Sequence, residues 1–389
     1  MFINFWYTAG LSKELEHAPV RRRMLGLDFV LFRDTSGAVH CLSDTCIHRG
    51  GSLSQGKVKG DCIQCPYHGW QFAGDGACRK IPSLGSQARI PSRARVDAYP
   101  TLERYGLIFV FLGDLPEAER CTILPIPEYG AEGPAPGWAA TIQHFEWAFD
   151  YQRSMENGID AAHNEFVHPT HGFSGTRDDY RIDPDTWRWV EDEWSTGFFS
   201  RSLAPPLAEA KMREASGRHA PAIIEGGTGH HGISMIWTYI HPTPEMKIHQ
   251  YLFETPIDAM HTSLYLLNLR NFLIEPEHDA RMMERNAIVA GQDRDVLVDV
   301  RPVVTPTKNT GEFLTPSDVP IAKYRQKIQR WTSLGWRIDA ELLERDRQRV
   351  VYAIPSPARR NTKGWVLDPV PLTEATAETA STAANTHRS

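Results

Sequence analysis

The chain has 389 residues, enough for two compact domains, with the composition of an ordinary globular protein. Hydrophobic residues make up 41% and charged residues 23%, so a large buried core can form. The net charge is −6 and no long basic run occurs, which argues against binding to nucleic acid.

The N-terminal residues do not have the pattern of a secretory signal. Met1 to Gly10 lack a basic segment followed by a long apolar run, and no stretch of 18 uninterrupted apolar residues occurs anywhere. We therefore expect a cytoplasmic protein that does not associate with a membrane. Five of the six cysteines lie within 38 residues, which in a reducing compartment indicates a metal site. An extracellular disulfide module is the alternative.

The first part of the chain is rich in strand-like runs. Phe29–Phe32 and Ala38–Leu42, separated by turn residues, predict a hairpin, and Leu107–Leu112 predicts an apolar strand. We expect residues 1–126 to form a small all-β domain. A Pro- and Gly-rich stretch from Pro125 to Gly137 is typical of a linker.

The second part mixes helical and strand-like segments, and it predicts a larger domain at residues 127–371. A helix is expected from about Ala148 to His163, and Gly226–Gly229 predicts a mobile loop. Proline breaks separate three strand-like runs, as in an antiparallel meander, and two helices follow; these segments are 232–241, 247–255, 262–272, 278–301 and 321–349. The fold class is therefore α+β, with an antiparallel sheet flanked by helices. Residues 372–389, mostly Thr, Ala, Ser and Glu, predict a disordered tail.

Two mixed Cys/His pairs mark the first candidate metal site. Cys46 and His48 are separated by one residue, Cys65 and His68 by two, and sixteen residues lie between the pairs. Two thiolates and two imidazoles are the ligand set of a Rieske [2Fe–2S] cluster, whose neutral imidazoles raise the reduction potential. A Cys2His2 zinc site is the alternative, and Cys62 would even complete a Cys-x-x-Cys pair. Zinc fingers, however, pair Cys with Cys and His with His, which favours the cluster.

A second candidate metal site lies after the linker, at Asn157, Asp160, His163 and His168. Two neighbouring histidines suit a non-haem Fe(II) ion. Their five-residue separation does not keep them on one face of a regular helix, so the helix must end or distort between them. Pro169 supports this because it disfavours helical dihedrals at His168. Two exposed histidines at a capped helix end are the alternative.

These segments resemble a known family. Cys46-Ile-His-Arg-Gly50 and Cys65-Pro-Tyr-His-Gly-Trp70 resemble the two signature boxes of Rieske proteins. The segment from Asn157 to His168 is similar to the metal-binding helix of Rieske non-haem iron oxygenases, and the resemblance covers roughly residues 6–301. It is closest to the homo-oligomeric terminal oxygenases, such as vanillate and dicamba O-demethylases and related hydroxylases. Residues 172–229 and the tail make this chain longer than the small demethylases.

The resemblance implies roles for the second site. His163 and His168 would bind iron together with one carboxylate, leaving positions open for O2. Asp293 best matches the family's acidic segment, and the alternatives are Asp295 and Asp299. Asp160, with Asn157 as a second candidate catalytic residue, would link the iron to the cluster of a neighbouring subunit through His68 of that subunit. That link requires a ring-shaped homotrimer. The alternative role of Asp160 is only to orient His163.

We therefore expect an oxidoreductase of aromatic catabolism, the terminal oxygenase component of a Rieske system. A reductase or ferredoxin would relay electrons from NAD(P)H to the cluster, and O2 would be activated at the mononuclear Fe(II). The substrate would be an aromatic or other cyclic small molecule that is hydroxylated or O-demethylated, as by a monooxygenase, ahead of cis-dihydroxylation by a dioxygenase. A carboxylate substrate would need a cation such as Arg270 or Lys247. The alternatives are an electron carrier whose second domain is a docking scaffold, and a zinc protein without redox activity.

Overall fold

The computed structural model describes residues 1–171, 173–177, 180–206, 210–306 and 309–375, which form two compact units. The first unit contains Met1–Ile123, Thr255–Ala259 and the residues from Arg330 onward. The second contains Leu124–Glu254 and Met260–Gln329. The predicted fold class, an all-β domain followed by a larger α+β domain, is confirmed. The predicted boundaries at residues 126 and 371 stay predictions, and most of the predicted tail, from residue 376, lies outside the described residues.

The first unit is built from short antiparallel strands. They form three sheets, with the orders β1-β11-β10, β2-β3-β4-β9 and β5-β6-β7-β8. The strands are β1 (Phe5–Leu11), β2 (Val20–Met24), β3 (Leu27–Arg33), β4 (Val39–Ser43), β5 (Lys57–Lys59), β6 (Cys62–Gln64), β7 (Gln71–Ala73), β8 (Cys78–Lys80), β9 (Ala98–Tyr99), β10 (Thr101–Arg104) and β11 (Leu107–Leu112). The predicted hairpin is the β3–β4 pair, and the predicted apolar strand is β11.

The two Cys/His segments are loops on this scaffold. The first follows β4, and the second connects β6 to β7. Cys46 and Cys65 are buried in one hydrophobic cluster with Phe32, Leu53 and Ile63. The sheet core therefore fixes the two cysteines, since their side chains are part of its packing.

The second unit contains one seven-stranded antiparallel sheet in the order β12-β18-β17-β16-β15-β14-β13. Its elements are β12 (Ala139–Trp147), α1 (Tyr151–Ile159), α2 (Asn164–Val167), β13 (Arg188–Glu191), β14 (Ser195–Ala204), α3 (Ala210–Ser216), β15 (Ala222–His231), β16 (Met235–His241), β17 (Ile248–Pro256), β18 (Thr262–Arg270) and α4 (Asp279–Leu297). Helix α5 (Val319–Ser333) follows and continues into the part of the chain that belongs to the first unit, which also contains α6 (Ala340–Asp346) and the parallel pair β19 (Tyr352–Ala353) and β20 (Asp368–Pro369). None of the described helices is both long and apolar enough to span a membrane.

The three predicted strands of the meander are confirmed as β16, β17 and β18. The predicted helix at 148–163 begins later and ends earlier, because Asp150 caps its start and Asp160 has extended dihedrals. The Asp150 carboxylate accepts a hydrogen bond from the backbone N–H of Gln152 at 2.8 Å. The predicted helix at 321–349 is two helices, α5 and α6, with Gly335 between them at a φ of 73°.

The prediction of a mobile loop at Gly226–Gly229 is wrong. These residues lie inside β15, which pairs with β14 on one side and with β16 on the other. A Cβ atom on Gly229 would lie 2.6 Å from the Cα of Gly197 and 2.7 Å from the ring of Trp237. The glycines therefore make room for a neighbouring backbone and an aromatic ring, which is a common reason for glycine inside a strand.

Two helices pack on the same face of the sheet. The hydroxyl of Thr228, on β15, donates to the carbonyl of Gly158, on α1, at 2.8 Å. At the edge strand β12, the Gln143 side chain donates to the carbonyl of Met283, on α4, at 3.0 Å. Thr228 on β15 lies opposite Thr238 on β16, and Gln143 on β12 lies opposite Leu266 on β18. These pairings identify the side chains that lie on this face in each strand.

A buried carboxyl group joins α1 to this sheet. Glu254, on β17, is 1% exposed, and the hydroxyl of Ser154 donates to it at 2.7 Å. Burial raises the pKa of Glu254 to about 8. The folded state therefore binds one more proton than the unfolded chain between the unfolded pKa of about 4.3 and the folded pKa.

We expect the free energy of unfolding to fall as the pH rises from about 5 to about 8, because that proton must be lost from a buried site. Glu254→Gln has no proton to lose and is expected to show a flatter dependence. Urea denaturation at both ends of the range measures this, with Glu245→Gln, at an exposed position, as the control. Equal slopes in wild type and Glu254→Gln would contradict the role assigned to this carboxyl.

Candidate metal centres

The two Cys/His loops share one backbone geometry. In each loop the cysteine N–H donates at 2.8 Å to the carbonyl five residues later, for Cys46 as for Cys65. Gly50 and Gly69 donate back to the cysteine carbonyls at 2.9 and 3.1 Å. Both glycines have a positive φ, 71° and 72°, which L side chains rarely adopt. The loops thus hold their cysteines in matching positions, and the histidine follows two residues later in the first loop and three residues later in the second.

The side chains of these loops divide into an inner and an outer pair. The thiols of Cys46 and Cys65 are buried, each residue being 2% exposed, and burial raises the pKa of Cys46 to about 12. The rings of His48 and His68 are exposed, with centroids 4.5 Å apart. Trp70 stacks on His48 at 4.7 Å. An inner thiolate pair and an outer imidazole pair fit the two ends of a Rieske cluster.

The pairing of the ligands favours a two-iron cluster over a zinc ion. Each loop supplies one buried thiol and one exposed imidazole, whereas zinc fingers pair Cys with Cys and His with His. Cys46, His48, Cys65 and His68 therefore have the donor set that a Rieske cluster needs.

A compact group of donors consists of His163, His168 and Asp293. The Nε2 atoms of the two histidines lie 3.7 and 3.3 Å from Oδ1 of Asp293. Helix α1 ends at Ile159, before both histidines, and the short helix α2 spans Asn164–Val167 between them. As the spacing of the histidines predicts, helical structure ends between them, since His168 follows α2 with non-helical dihedrals. Both rings then point to the same carboxylate from α4.

Hydrogen bonds set the tautomer of both histidines. Nδ1 of His163 lies 3.0 Å from the backbone carbonyl of Asp160, and Nδ1 of His168 lies 3.1 Å from Oε1 of Gln292. Carbonyl oxygens only accept, so each Nδ1 carries the proton and each Nε2 keeps its lone pair for a metal. The hydroxyl of Thr170 also donates to Oε1 of Gln292, at 3.0 Å, which holds the amide in place.

The structure brings Asp293 to the histidines and leaves the two alternative acids outside. Asp295 and Asp299 are exposed, and Asp295 pairs with Arg294. Two residues along a helix turn the side chain by roughly 200°, which accounts for the difference between Asp293 and Asp295. The side-chain amide of Asn157 donates to Oδ1 of Asp293 at 3.0 Å, so Asn157 positions the carboxylate.

Asp160 caps the end of α1 beside the same group. Its carboxylate accepts from the backbone N–H groups of Ala162 and His163 at 2.7 and 3.1 Å, and it lies 3.6 Å from Nδ1 of His163. Burial alone would raise the pKa of Asp160, but these hydrogen bonds and His163 hold it below its usual value. Asp160 is therefore an anion next to an imidazole N–H.

The electrostatics of the group include two contributions that the sequence did not predict. Burial lowers the pKa of His168, but the neighbouring Asp293 carboxylate more than offsets this and raises it overall. His171 lies 4.9 Å from His168, ring to ring, and its pKa is well below the usual value because it is buried near Arg285. The Gln292 contact was also missed, and the only signal was its place next to Asp293.

Comparison with known families identifies the class. Residues 5–100 match the Rieske [2Fe–2S] domain, and residues 147–334 match the vanillate O-demethylase oxygenase C-terminal domain. The chain joins these two domains and belongs to the Rieske non-haem iron oxygenases. The predicted cofactors are confirmed at the level of the family: a [2Fe–2S] Rieske cluster, a mononuclear iron and O2 as co-substrate.

Three relatives illustrate the relationship. The oxygenase component of 3-ketosteroid-9-alpha-monooxygenase from Rhodococcus rhodochrous is 35% identical over 173 residues, 43% of this chain and 44% of that protein. The phenoxybenzoate dioxygenase subunit alpha of Ectopseudomonas oleovorans is 32% identical over 235 residues, 54% of this chain and 57% of that protein. The chain thus spans about half the length of these relatives. The crystal structure of dicamba monooxygenase bound to dicamba has the same fold, with a TM-score of 0.67, 22% identity and coverage of 85% and 97%.

We expect Gln292→Leu to weaken metal binding at the histidine pair by about 10–100-fold, because Nδ1 of His168 loses the acceptor that fixes its tautomer. Titration of the anaerobic protein with Fe(II) or Co(II) measures the affinity. Gln292→Glu keeps an acceptor at this position and is expected to bind like the wild type. A leucine variant with wild-type affinity would show that Gln292 does not position His168.

Proposed function

We propose that this protein is the terminal oxygenase component of a Rieske system, in which His163, His168 and Asp293 bind the mononuclear iron. The observation that carries the proposal is the convergence of both Nε2 atoms on Oδ1 of Asp293, with each Nδ1 already hydrogen-bonded. Two imidazoles and one carboxylate on one face of an iron leave the other face open, which is the geometry of oxygen-activating non-haem sites.

In this proposal Cys46, His48, Cys65 and His68 hold the Rieske cluster. When bound, the cluster stores one electron and the iron activates O2. The residues of this chain position the metal ligands. The backbone carbonyl of Asp160 and the side chain of Gln292 keep protons on Nδ1 of the two histidines, and Asn157 keeps Asp293 turned towards them. Asn157 thereby acts as a positioning residue.

We infer that electrons reach the iron between subunits of a homotrimer. His68 is exposed on the first unit, so a partner can reach its ring. In the second unit, Asp160 borders a cavity of about 290 Å³ whose wall also contains Asn157, Arg153 and Glu312. A carboxylate that contacts His163 and faces such a cavity is placed to accept a hydrogen bond from His68 of the partner subunit. Orientation of His163 alone is the alternative role of Asp160.

The proposed reaction is hydroxylation or O-demethylation of a cyclic small molecule. In O-demethylation the oxidised methyl carbon becomes a hemiacetal, which collapses and releases formaldehyde. The match to the vanillate O-demethylase C-terminal domain favours monooxygenation or demethylation, although two relatives are dioxygenase subunits. A reductase or ferredoxin would supply electrons from NAD(P)H, and we place the system in the cytoplasm, as the sequence predicted.

A single-turnover experiment tests the proposal. The iron-loaded protein is reduced, then mixed with O2 and a panel of methoxybenzoates, other aromatic acids and neutral cyclic compounds, and products are read by mass spectrometry. The wild type is expected to form an oxygenated or demethylated product as the cluster is oxidised. His163→Ala is expected to keep the cluster and form no product. A variant that still forms product would refute the iron assignment.

Asp160→Asn separates electron transfer from metal binding. It is expected to keep all metals but to slow cluster oxidation in the presence of substrate by about 10²-fold, since it loses the anion that positions the electron-transfer contact. Asp295→Asn, at an exposed acid of the same region, is the matched control and is expected to behave like the wild type. If the wild type passes electrons to other proteins but forms no product from any compound, the electron-carrier alternative replaces this proposal.

A further inference from the structure

A row of uncharged polar side chains crosses the helix-bearing face of the seven-stranded sheet. Thr228 lies opposite Thr238, which lies opposite Gln250. Nε2 of Gln250 donates to Oδ1 of Asn268 at 3.1 Å, and Asn268 lies opposite Thr141. The row therefore continues through β15, β16, β17, β18 and β12 at one level of the sheet.

The row begins at the helix that carries the metal-binding segment. Thr228 donates to the carbonyl of Gly158, which lies between Asn157 and Asp160 in the chain. The neighbouring levels on β16 and β17 are apolar. Ile236 pairs with Leu252 on one side of the row, and Ile240 pairs with Ile248 on the other. A molecule lying across this face would meet one polar band between two apolar ones.

Two members of the row lack hydrogen bonds that their burial demands. Asn268 is fully buried, yet its Nδ2 has no hydrogen-bond partner among the described residues. The hydroxyl of Thr141, 6% exposed, also lacks one within the same ranges. Buried amide donors are almost always satisfied, because leaving one unpaired is costly. Gln250 occupies Oδ1 of Asn268, which leaves Nδ2 as the free end of the amide.

The face is partly exposed on strands β16 and β17, beside the buried Asn268. Strands β16 and β17 lie in the middle of the sheet, where side chains are normally buried, yet Thr238, Gln250 and Leu252 remain partly exposed. Helix α1 packs against β15 and β16, whereas α4 contacts β12. The surface between these helices is the surface that carries the row.

The chemistry of the row selects against charge. At the three levels from Ile236 to Ile240 and from Ile248 to Leu252, the side chains on this face are Ile, Leu, Thr and Gln. The charge of Arg270, the cation of β18, is already compensated by Asp279 at 2.6 Å, and its Nε donates to the Leu273 carbonyl at 2.9 Å, although its Nη1 has no hydrogen-bond partner among the described residues. A carboxylate buried here would not find an uncompensated cation, which makes its burial costly.

We propose that this row is the polar subsite of the substrate pocket and that it recognises a neutral cyclic substrate. Nδ2 of Asn268 donates to a carbonyl or hydroxyl oxygen of the substrate, and Gln250 holds the Asn268 amide in that orientation. The apolar levels on either side contact the ring carbons. Identification of the pocket as a substrate pocket rests on the proposed function, whereas the preference for a neutral oxygen acceptor rests on the row itself.

Calorimetry on the anaerobic, iron-loaded protein tests the subsite with matched compounds. The probes are acetophenone, ethylbenzene and benzoate, and the two-ring set of 2-acetylnaphthalene, 2-ethylnaphthalene and 2-naphthoate. On at least one scaffold the ketone is expected to bind about tenfold or more tightly than both the hydrocarbon and the carboxylate. Tighter binding of the carboxylates, or no preference for the ketone on either scaffold, would overturn the proposal.

Variants assign the preference to the row. Asn268→Leu is expected to equalise the ketone and the hydrocarbon, and Asn361→Leu, at an exposed position of the first unit, is the matched control. Because Asn268 is buried, Gln250→Leu provides a second variant at a partly exposed site, and it is expected to reduce the ketone preference in a protein whose melting temperature is retained. A full ketone preference in folded Asn268→Leu or Gln250→Leu would refute the assignment.

The polar subsite and the oxygenase proposal can be refuted separately, one by the binding experiment and the other by the turnover experiment. His163→Ala is expected to keep the ketone preference while it loses product formation, because the row does not contain a metal ligand. A wild type that prefers ketones but never forms product would refute the oxygenase proposal and leave the polar subsite. A wild type that oxidises compounds but shows no ketone preference would refute the polar subsite and leave the oxygenase proposal.

Discussion

The interaction on which the second unit depends is the approach of one carboxylate, Asp293, to two imidazoles that come from the other side of a broken helix. The break is encoded locally, since Asp160 accepts the N–H groups that follow α1 and so ends the helix between Asn157 and His163. Packing then fixes both partners. Thr228 ties α1 to the sheet and Gln143 ties α4 to it, so the sheet sets the distance between the histidines and the acid. The metal-binding chemistry is thus a consequence of how two helices are anchored to one surface.

In the first unit, two loops position the candidate metal ligands, where the second unit uses helices. Two turns of the same hydrogen-bonded form, each closed by a glycine at positive φ, present a buried thiol and an exposed imidazole. Burial of Cys46 favours its neutral thiol, so assembly of a cluster must release protons from that site. Exposure of His48 and His68 leaves the imidazole end of the site open to a partner protein.

Much of this architecture could be predicted from the sequence, because the signals were local. Strand periodicity indicated β16 to β18, and ligand spacing indicated both metal sites and the end of a helix between His163 and His168. The failures came from long-range packing. Gly226–Gly229 looked like a loop because the sequence does not show the Trp237 ring that the glycines accommodate. Likewise, the roles of Gln292 and His171 depend on which side chains meet across elements, and Arg270 could not be recognised as already paired with Asp279.

The most direct test of the two metal centres is a count of iron environments by Mössbauer spectroscopy on protein grown with ⁵⁷Fe. We expect two cluster irons, one bound by Cys46 and Cys65 and one by His48 and His68, and a third, separate ferrous site. In Asp293→Ala the two cluster irons should remain and the third should be lost. Retention of the third iron in this variant, or a wild type with iron in only one kind of site, would contradict the assignment of the second centre.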